Sequence, residues 1–387
     1  MKLVTTAQQL RSALNLFRPI IEQRNAYPVL GTVLFDGATV RGTNLDQEIV
    51  VTMVASEAKG RAAIDYRTLL RLVALIPSSD TVTILGGKKD SASISFSSGR
   101  YDLPCVDPDA YPEPGWSGQG AVETIPATGL RDALAFVAPT ISSEETRYYL
   151  CGVSFQRNHA GASVLVTTDG HRMSVTPFAT GPAFDGLIVP RRAVDALLRM
   201  VEPARIERLP RETYLRFAWA GMTLTTKLIQ GTYPDWQRVV PRFDGDDRHH
   251  IIFDRKELVT ALFRVSAVGA RRWQGPATTL AYDALGATIS AVSADYGTGR
   301  EFLAKAVVQN VGGEHVTSFR SNYMISLLKS FASHDQVRLA VIDGNSPMRL
   351  SVGGDAFTLL MPMRGADEKL ALETLHEVTA SVGRAAA

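Results

Sequence analysis

Apolar residues recur along this chain with two different periods. In residues 10–19 (LRSALNLFRP) and 130–139 (LRDALAFVAP) they fall at i, i+3, i+4 and i+7, and five of the ten positions are identical. This spacing predicts two helices with one buried face each, which Pro19 and Pro139 are expected to end. A third, weaker copy has its apolar residues at Leu258, Ala261, Leu262 and Val265.

A second helical segment is also repeated three times. The sequence LLRLV at 69–73 returns as LLRMV at 197–201 and as LLKSF at 327–331. Between the helices the apolar residues alternate with polar ones, and this period of two predicts strands. The alternation is clearest at 91–96, 223–228 and 348–352.

A Tyr-Pro-acid triplet ends two of the repeats, at Tyr111 and again at Tyr233. The spacing of the repeats predicts an α+β fold built from three domains, each with two helices packed on antiparallel sheets. We expect the domains at 1–119, 122–245 and 248–365, and a helical or disordered extension at 366–387.

Composition excludes several classes of protein. The 387 residues are 45% hydrophobic, and 41 basic residues nearly balance 39 acidic ones. A histone-like basic protein and an acidic disordered tail are therefore excluded. We find no signal peptide and no apolar run long enough to span a membrane, so no membrane partner is expected. Cys105 and Cys151 form no CxxC pair, which favours a reducing, cytoplasmic location.

A near-neutral total can still hide a basic surface. On a helical wheel Arg71 points away from the apolar face, and Arg199 and Lys329 occupy the same position in their repeats. Such cations can simply belong to a solvated helix face. Their threefold recurrence instead favours a surface that contacts phosphates without reading bases.

Several motifs together resemble the bacterial sliding clamp family, the beta subunit of DNA polymerase III. The resemblance covers residues 1 to about 365. Its motifs are RYYLCGV at 147–153, TDGHRM at 168–173, IVPR at 188–191, a KL…G-x-Y-P-D-W-x-R-V-V-P run at 227–241, LMPMR at 360–364, and Arg24 shortly before Pro28.

The resemblance implies three DNA-clamp domains per chain and two chains that close a head-to-tail homodimer ring around duplex DNA. It implies a non-catalytic processivity subunit in DNA replication that needs no cofactor or metal. Its partners would be double-stranded DNA without sequence preference, the clamp loader, the DNA polymerase III alpha subunit and other proteins with a clamp-binding motif. An alternative is a specialised extra-copy, plasmid or phage clamp, for example an inhibitor-tolerant one, with the same ring.

The family's partner pocket lies between its second and third domains. An apolar slot rich in Met suits the Leu and Phe anchors of partner peptides, although the Met residues can also be core filling. The 366–387 extension starts beside this pocket and could compete with peptides. Carried over by motif, the pocket residues would be Leu150, Thr168, Gly170, His171, Arg172, Met173, Pro234, Arg238, Val239, Leu359, Leu360, Met361, Pro362, Met363 and Arg364.

The resemblance also implies DNA contacts and a ring seam. A Tyr-Tyr pair can stack on bases, or it can be ordinary strand packing. The family's seam joins a basic, aromatic strand to an acidic one, but here Arg300 interrupts the acidic side. The DNA contacts would be Arg24, Arg147, Tyr148 and Tyr149, and the seam residues Arg100, Tyr101, Ala267, Val268 and Glu301.

Two histidine-containing pairs suggest other chemistry. Asp169 and His171 could form an acid–base pair in an enzyme, but no nucleophile, phosphate-loop or metalloprotease motif accompanies them. His249 and His250 could bind a metal, but no Cys or carboxylate ligand pattern surrounds them. We expect this second pair in a solvated interdomain linker.

Overall fold

The computed structural model describes residues 1–22, 27–88, 91–113, 115–116, 123–210, 213–242, 249–268, 277–363 and 368–385. The chain divides into two compact units, 1–131 with 180–231 and 132–179 with 232–387. The site residues Arg24 and Arg364 and the interdomain boundaries expected near 119–122 and 245–248 lie outside the described residues.

The helices follow the predicted repeats. Leu10 and Leu14 of the first helix and Leu69 and Val73 of the second are buried, as the apolar spacing predicted. No helix in the described ranges combines the length and apolarity needed to cross a bilayer. The helices are α1 (Ala7–Leu16), α2 (Tyr66–Leu75), α3 (Leu130–Val137), α4 (Arg191–Arg199), α5 (Arg255–Ala267), α6 (Ser321–Lys329) and α7 (Glu368–Ala385).

Side-chain caps explain where several helices begin. Thr6 and Gln9 form a reciprocal capping box at α1. Asp65 accepts a hydrogen bond from the Thr68 N–H at 2.8 Å at the start of α2, and Asp254 caps α5 in the same way. Each cap satisfies a backbone donor that has no partner within its own helix.

The first unit contains one long antiparallel sheet. The strands of this unit are β1 (Lys2–Thr6), β2 (Thr32–Asp36), β3 (Thr39–Thr43), β4 (Gln47–Thr52), β5 (Glu57–Lys59), β6 (Arg61–Asp65), β7 (Thr81–Lys88), β8 (Ser91–Phe96), β9 (Gly99–Val106), β10 (Glu123–Pro126), β14 (Ile188–Pro190), β15 (Arg205–Arg208), β16 (Tyr214–Trp219) and β17 (Met222–Lys227). The order of strands in the sheet is β10-β15-β16-β17-β4-β3-β2-β6-β9-β8-β7-β1-β5.

The second unit contains two antiparallel arrangements of strands. The strands are β11 (Gly152–Arg157), β12 (Ser163–Thr168), β13 (Arg172–Pro177), β18 (His249–Asp254), β19 (Ala277–Asp283), β20 (Gly286–Ser293), β21 (Gly297–Phe302), β22 (Val307–Gln309), β23 (His315–Arg320), β24 (Gln336–Val341), β25 (Met348–Ser351) and β26 (Phe357–Leu360). One is a run of eight strands, β11-β12-β13-β26-β25-β24-β18-β22, and the other is a four-stranded sheet, β21-β20-β19-β23.

Two strand pairings explain why the units differ from the three predicted domains. β17 pairs with β4, and β13 pairs with β26. Each unit therefore contains part of the predicted central domain, joined by a continuous sheet to a neighbouring one. The mixed α+β class with antiparallel sheets is confirmed, whereas the three domain boundaries stay a prediction.

Arg11 of α1 stabilises the C-terminal end of α2. Its Nη2 donates to the carbonyls of Val73 at 2.9 Å and Ile76 at 2.5 Å. A guanidinium satisfies the last carbonyls of a helix and interacts favourably with its dipole. Arg131, at the corresponding position of α3, is exposed instead.

We therefore expect Arg11→Met to lower the free energy of unfolding by about 1–3 kcal/mol, because it removes the charge-assisted hydrogen bonds of the guanidinium to the Val73 and Ile76 carbonyls and to Ser78. Arg131→Met is the matched control and should stay within about 0.5 kcal/mol of wild type. Urea unfolding followed by circular dichroism measures both. Equal effects of the two substitutions would contradict the capping role of Arg11.

Candidate functional site

A tight turn between β12 and β13 forms the first part of the site. One Asp169 oxygen accepts the backbone N–H groups of His171 and Arg172, both at 2.9 Å. The other accepts the Arg172 Nε and Nη2 at 3.0 and 2.9 Å. Gly170 has φ +87°, a left-handed conformation that glycine adopts without strain. The Asp169 carboxylate is thus committed to holding the turn.

Tyr323 of α6 supports the side chains of this turn. The His171 ring stacks on it with centroids 5.7 Å apart, and the Arg172 guanidinium lies 4.4 Å from its centroid. Tyr323 was not predicted from the sequence. No local pattern marks it, because its partners lie far away in the chain.

The floor of the site is apolar and follows from strand register. Met173 pairs with Leu359 across β13 and β26, so both side chains lie on the same face of the sheet. Both are buried, as is Leu150. Leu360 points to the opposite face and belongs to the core formed with α5 and α6. Its cross-strand neighbour Arg172 lies on that same face, and the place of Leu360 in the pocket stays a prediction.

Residues 361–363 run beside the turn. The Met361 N–H donates to the His171 carbonyl at 2.9 Å, and the Met363 N–H donates to the Ser318 carbonyl at 2.8 Å. Met361, Pro362 and Met363 are half-buried. Their side chains are neither core filling nor fully solvated, so a bound segment could cover them further.

Residues 233–239 supply the other rim. Burial raises the pKa of the Tyr233 phenol, and a Thr168 backbone group partly opposes this shift, so Tyr233 lies against the turn. Pro234 is exposed, and Val239 is 46% exposed. Arg238 is held loosely, by Asp235 at 3.0 Å in an exposed pair.

A cavity of about 660 Å³ continues along the same sheet face. Val175 and Phe357 form the next cross-strand pair on the same face as the floor, and they line the cavity together with Trp236. Arg349 also lines it, with its guanidinium 4.4 Å from the Phe357 ring centroid. The cavity shares Arg238 with the site, so the apolar surface available to a bound segment extends beyond the residues that the motifs indicated.

Two family models match the chain. The central domain of the DNA polymerase III beta subunit matches residues 124–235, and its C-terminal domain matches residues 237–364. Together they span more than half of the chain. The chain belongs to the family of DNA polymerase III beta subunits, the beta sliding clamps.

Individual clamps are similar over most of their length. The beta sliding clamp of Caulobacter vibrioides is 30% identical over 289 residues, covering 70% of this chain and 76% of that protein. That of Pseudomonas aeruginosa is 25% identical over 371 residues, covering 92% and 98%. The crystal structure of the Bartonella birtlesii sliding clamp bound to griselimycin has a TM-score of 0.83 at 26% identity, covering 94% of this chain and 99% of that one.

Membership of the beta sliding clamp family establishes the activity. The chain is a DNA sliding clamp of DNA polymerase III, a processivity factor without a catalytic reaction. The alternative of an enzyme built on Asp169 and His171 is wrong, and the turn shows what this pair does instead: the Asp169 carboxylate binds the His171 backbone and the Arg172 side chain.

The candidate DNA contacts differ in their surroundings. Arg71, Arg199 and Lys329 are all exposed on their helices, as the wheel predicted. The Arg147 guanidinium is instead held in an ion pair with Glu144, and it lowers the pKa of that carboxyl.

The Tyr pair lies in a 3-10 helix, Glu145–Leu150, rather than in a strand. Tyr148 is 54% exposed and packs edge-on against the half-buried Tyr149, with centroids 5.7 Å apart. The expectation of half-buried strand packing therefore does not apply, and Tyr148 remains accessible for stacking.

The candidate seam residues lie on β9 and at the end of α5 beside β21. Arg100 and Tyr101 are exposed on β9, whose residues 99–104 pair with β8 alone among the described strands. Val268 lies against Gly299 of β21, where an added Cβ would come within 2.6 Å of its Cγ2. Ala267 beside it is exposed.

The expected linker position of His249 and His250 is wrong, since both begin β18. His249 Nδ1 lies 3.0 Å from the Tyr282 hydroxyl, and its ring centroid lies 3.9 Å from that of His315. Burial and His315 lower the pKa of His249. Within the described ranges, no group of three or more His, Cys, Asp or Glu side chains is arranged to hold a metal ion.

Two Asp–Arg pairs with the same i,i+3 spacing allow a direct comparison. The Arg172 and Asp169 side chains are 11% and 14% exposed, whereas Arg238 is 82% exposed in its pair. We expect Arg172→Met to lower the free energy of unfolding by about 2–4 kcal/mol, because it leaves the buried Asp169 carboxylate without its charged partner.

Arg238→Met should change the free energy of unfolding by less than about 1 kcal/mol, because exposed ion pairs contribute little. Thermal and urea unfolding of the two variants measure the difference. A destabilisation by Arg238→Met as large as that by Arg172→Met would show that burial does not distinguish the pairs.

Proposed function

We propose that this clamp works as a head-to-tail homodimer ring that encircles duplex DNA and tethers its partners through the site at the β12–β13 turn. The observation that carries the proposal is the His171–Tyr323–Arg172 stack at the turn, beside the half-buried residues 361–363, in a chain of the clamp family. Tethering raises the effective concentration of a polymerase at its template without any new catalytic group.

The site suits a short peptide with apolar anchors. Leu and Phe side chains of a partner can cover Val239 and the half-buried Met361, while His171 and Arg172 lie beside the peptide's polar groups. The proposed contacts are Leu150, Thr168, Gly170, His171, Arg172, Met173, Pro234, Arg238, Val239, Leu359, Leu360, Met361, Pro362 and Met363 from the motifs, with Tyr323 added from the structure.

Two strand edges suit the ring seam. β21 ends its sheet and pairs with β20 alone among the described strands, and the outer side of residues 99–104 of β9 is likewise open. Pairing β9 of one chain with β21 of the next would satisfy both rows of backbone groups. Two such seams close a ring of two chains, and membership of the sliding clamp family supports this arrangement.

The remaining roles follow from the same proposal. The ring would hold double-stranded DNA through Arg71, Arg199 and Lys329, with Tyr148 and Arg147 contributing at the edge of the duplex. The clamp loader, the DNA polymerase III alpha subunit and other proteins with a clamp-binding motif would be its partners, in the cytoplasm. The matches at 124–235 and 237–364 support the three-domain division.

A topological experiment tests the ring. The clamp is loaded onto primed, nicked circular DNA with its matching clamp loader and then separated by gel filtration. We expect retention on the circle and release once a restriction enzyme linearises it, because a ring slides off an end. Retention that is unchanged by linearisation, or absence of loading with an active loader, would contradict the proposal.

The peptide site gives a second prediction. Val239→Glu should weaken binding of a labelled peptide with Leu and Phe anchors at least about tenfold, because it places a charge where an apolar anchor packs. Fluorescence anisotropy measures the affinity, and native mass confirms that the dimer is intact. Val307→Glu, at a similarly exposed valine on β22, is the control and should bind like wild type.

The cations give a third prediction. The triple variant Arg71→Gln, Arg199→Gln and Lys329→Gln should bind a short DNA duplex more weakly at every sequence tested. The slope of log K against log salt should become shallower by about one for each phosphate that the variant no longer binds.

A control triple, Lys59→Gln, Lys227→Gln and Lys305→Gln, removes surface cations that already have carboxylate partners. It should leave the slope close to wild type. Equal slopes for both triples would show that the three helix cations bind no phosphates.

A further inference from the structure

The extension beyond the family match folds back onto the second unit. α7 buries Ala371 and Leu375 against Ala281 and Val316 of the four-stranded sheet. The contact is on the face opposite α5, because Leu280 and Tyr282, the neighbours of Ala281 in β19, point into the core that contains α5. The sheet is therefore covered by helices on both faces.

The two charged residues of β21 point to these two opposite helices. Arg264 of α5 binds Glu301 through two hydrogen bonds of 2.6 and 2.5 Å. Arg300, the preceding residue, lies on the other side of the strand and pairs with Glu377 of α7 at 3.5 Å. The edge strand therefore takes one ionic partner from a helix within the family match and one from the extension.

This arrangement changes the charge of the proposed seam. Glu301 is already paired within the chain, so without α7 the excess charge on β21 would be the cation of Arg300. The strand proposed to face it, β9 of a second copy, carries Arg100, whose exposed ion pair with Asp102, at 3.9 Å, leaves the cation 68% exposed. Two cations brought together at a seam repel each other.

We propose that α7 is part of the ring seam: Glu377 neutralises Arg300 and so allows β21 to accept β9 of a second copy of this chain. The inference rests on the proposed ring, and it adds a specific role for residues 366–387. It also replaces the expectation that the extension competes with peptides, because the described part of α7 packs on β19, β20, β21 and β23.

The face beneath α7 allows a clean test by truncation. It consists mainly of small and hydroxyl-bearing side chains, Thr279, Thr288, Ser290 and Ser318, beside Ala281, with the half-buried Val316 and Phe302 on the same face. Removing α7 uncovers these two apolar side chains but none of the core that contains α5, so a chain that ends at residue 365 should stay folded. Thermal unfolding by circular dichroism checks this.

The test measures the dimer dissociation constant by sedimentation at about 50 mM and 500 mM salt. Truncation after residue 365 should raise it severalfold at low salt, and Glu377→Gln in the full chain about two- to fivefold, as for other exposed ion pairs. Glu373→Gln is the control, since Glu373 pairs with Lys369 of the same helix and should change nothing. High salt should reduce these effects because it screens exposed charges.

Arg300→Gln decides between charge and packing. In the truncated chain it should restore the wild-type dissociation constant, because the cation that needed neutralising is gone. If truncation weakens the dimer equally in the Arg300→Gln background, or does not weaken it at all, the role of α7 is refuted while the ring stands. If wild type is monomeric, or Tyr101→Arg leaves its dimer unchanged, the proposed seam itself is wrong and this inference falls with it.

Discussion

Pairing of β13 with β26 places Met173 beside Leu359 and Arg172 beside Leu360. Because side chains alternate across a strand, this one register separates the face of Met173 and Leu359 from the face of Arg172 and Leu360, which packs toward α6. A shift of β26 by one residue would pair Leu360 with Met173 and turn Leu359 to the opposite face. The turn held by Asp169 and the strand that ends before Met361 both depend on this register, and so does the contact between the turn and Tyr323.

Local patterns in the sequence were enough for the parts of the fold that depend on near neighbours. The helical spacing around Leu10 and Leu69 marks the buried faces, and the wheel correctly places Arg71 on the exposed side. The motif around Asp169 marks the segment by its resemblance to the family, whereas the turn it forms is seen only in the structure. Tyr323 escaped prediction because its role exists only when α6 packs beside a turn from a distant part of the chain.

Cations that look equivalent in the sequence have different roles in the structure. Arg11 and Arg131 occupy the same repeat position, yet Arg11 reaches the carbonyl groups of a neighbouring helix while Arg131 is exposed. Arg147 is tied to Glu144, whereas Arg71 is exposed. A repeat preserves the position of a charge, but the side chains that surround it decide whether it stabilises the fold or remains available to DNA.

The same reasoning applies to Arg300, which interrupts the strand that the resemblance implies to be acidic. Alternation along β21 separates Arg300 from Glu301, so each meets a different helix, and the carboxylate that pairs with Arg300 comes from α7, much further along the chain. Both residues of this pair can be found in the sequence, but their contact could not be predicted from it. In the proposed seam, Arg300 and α7 are therefore best considered together, since the Glu377 carboxylate of α7 pairs with this cation.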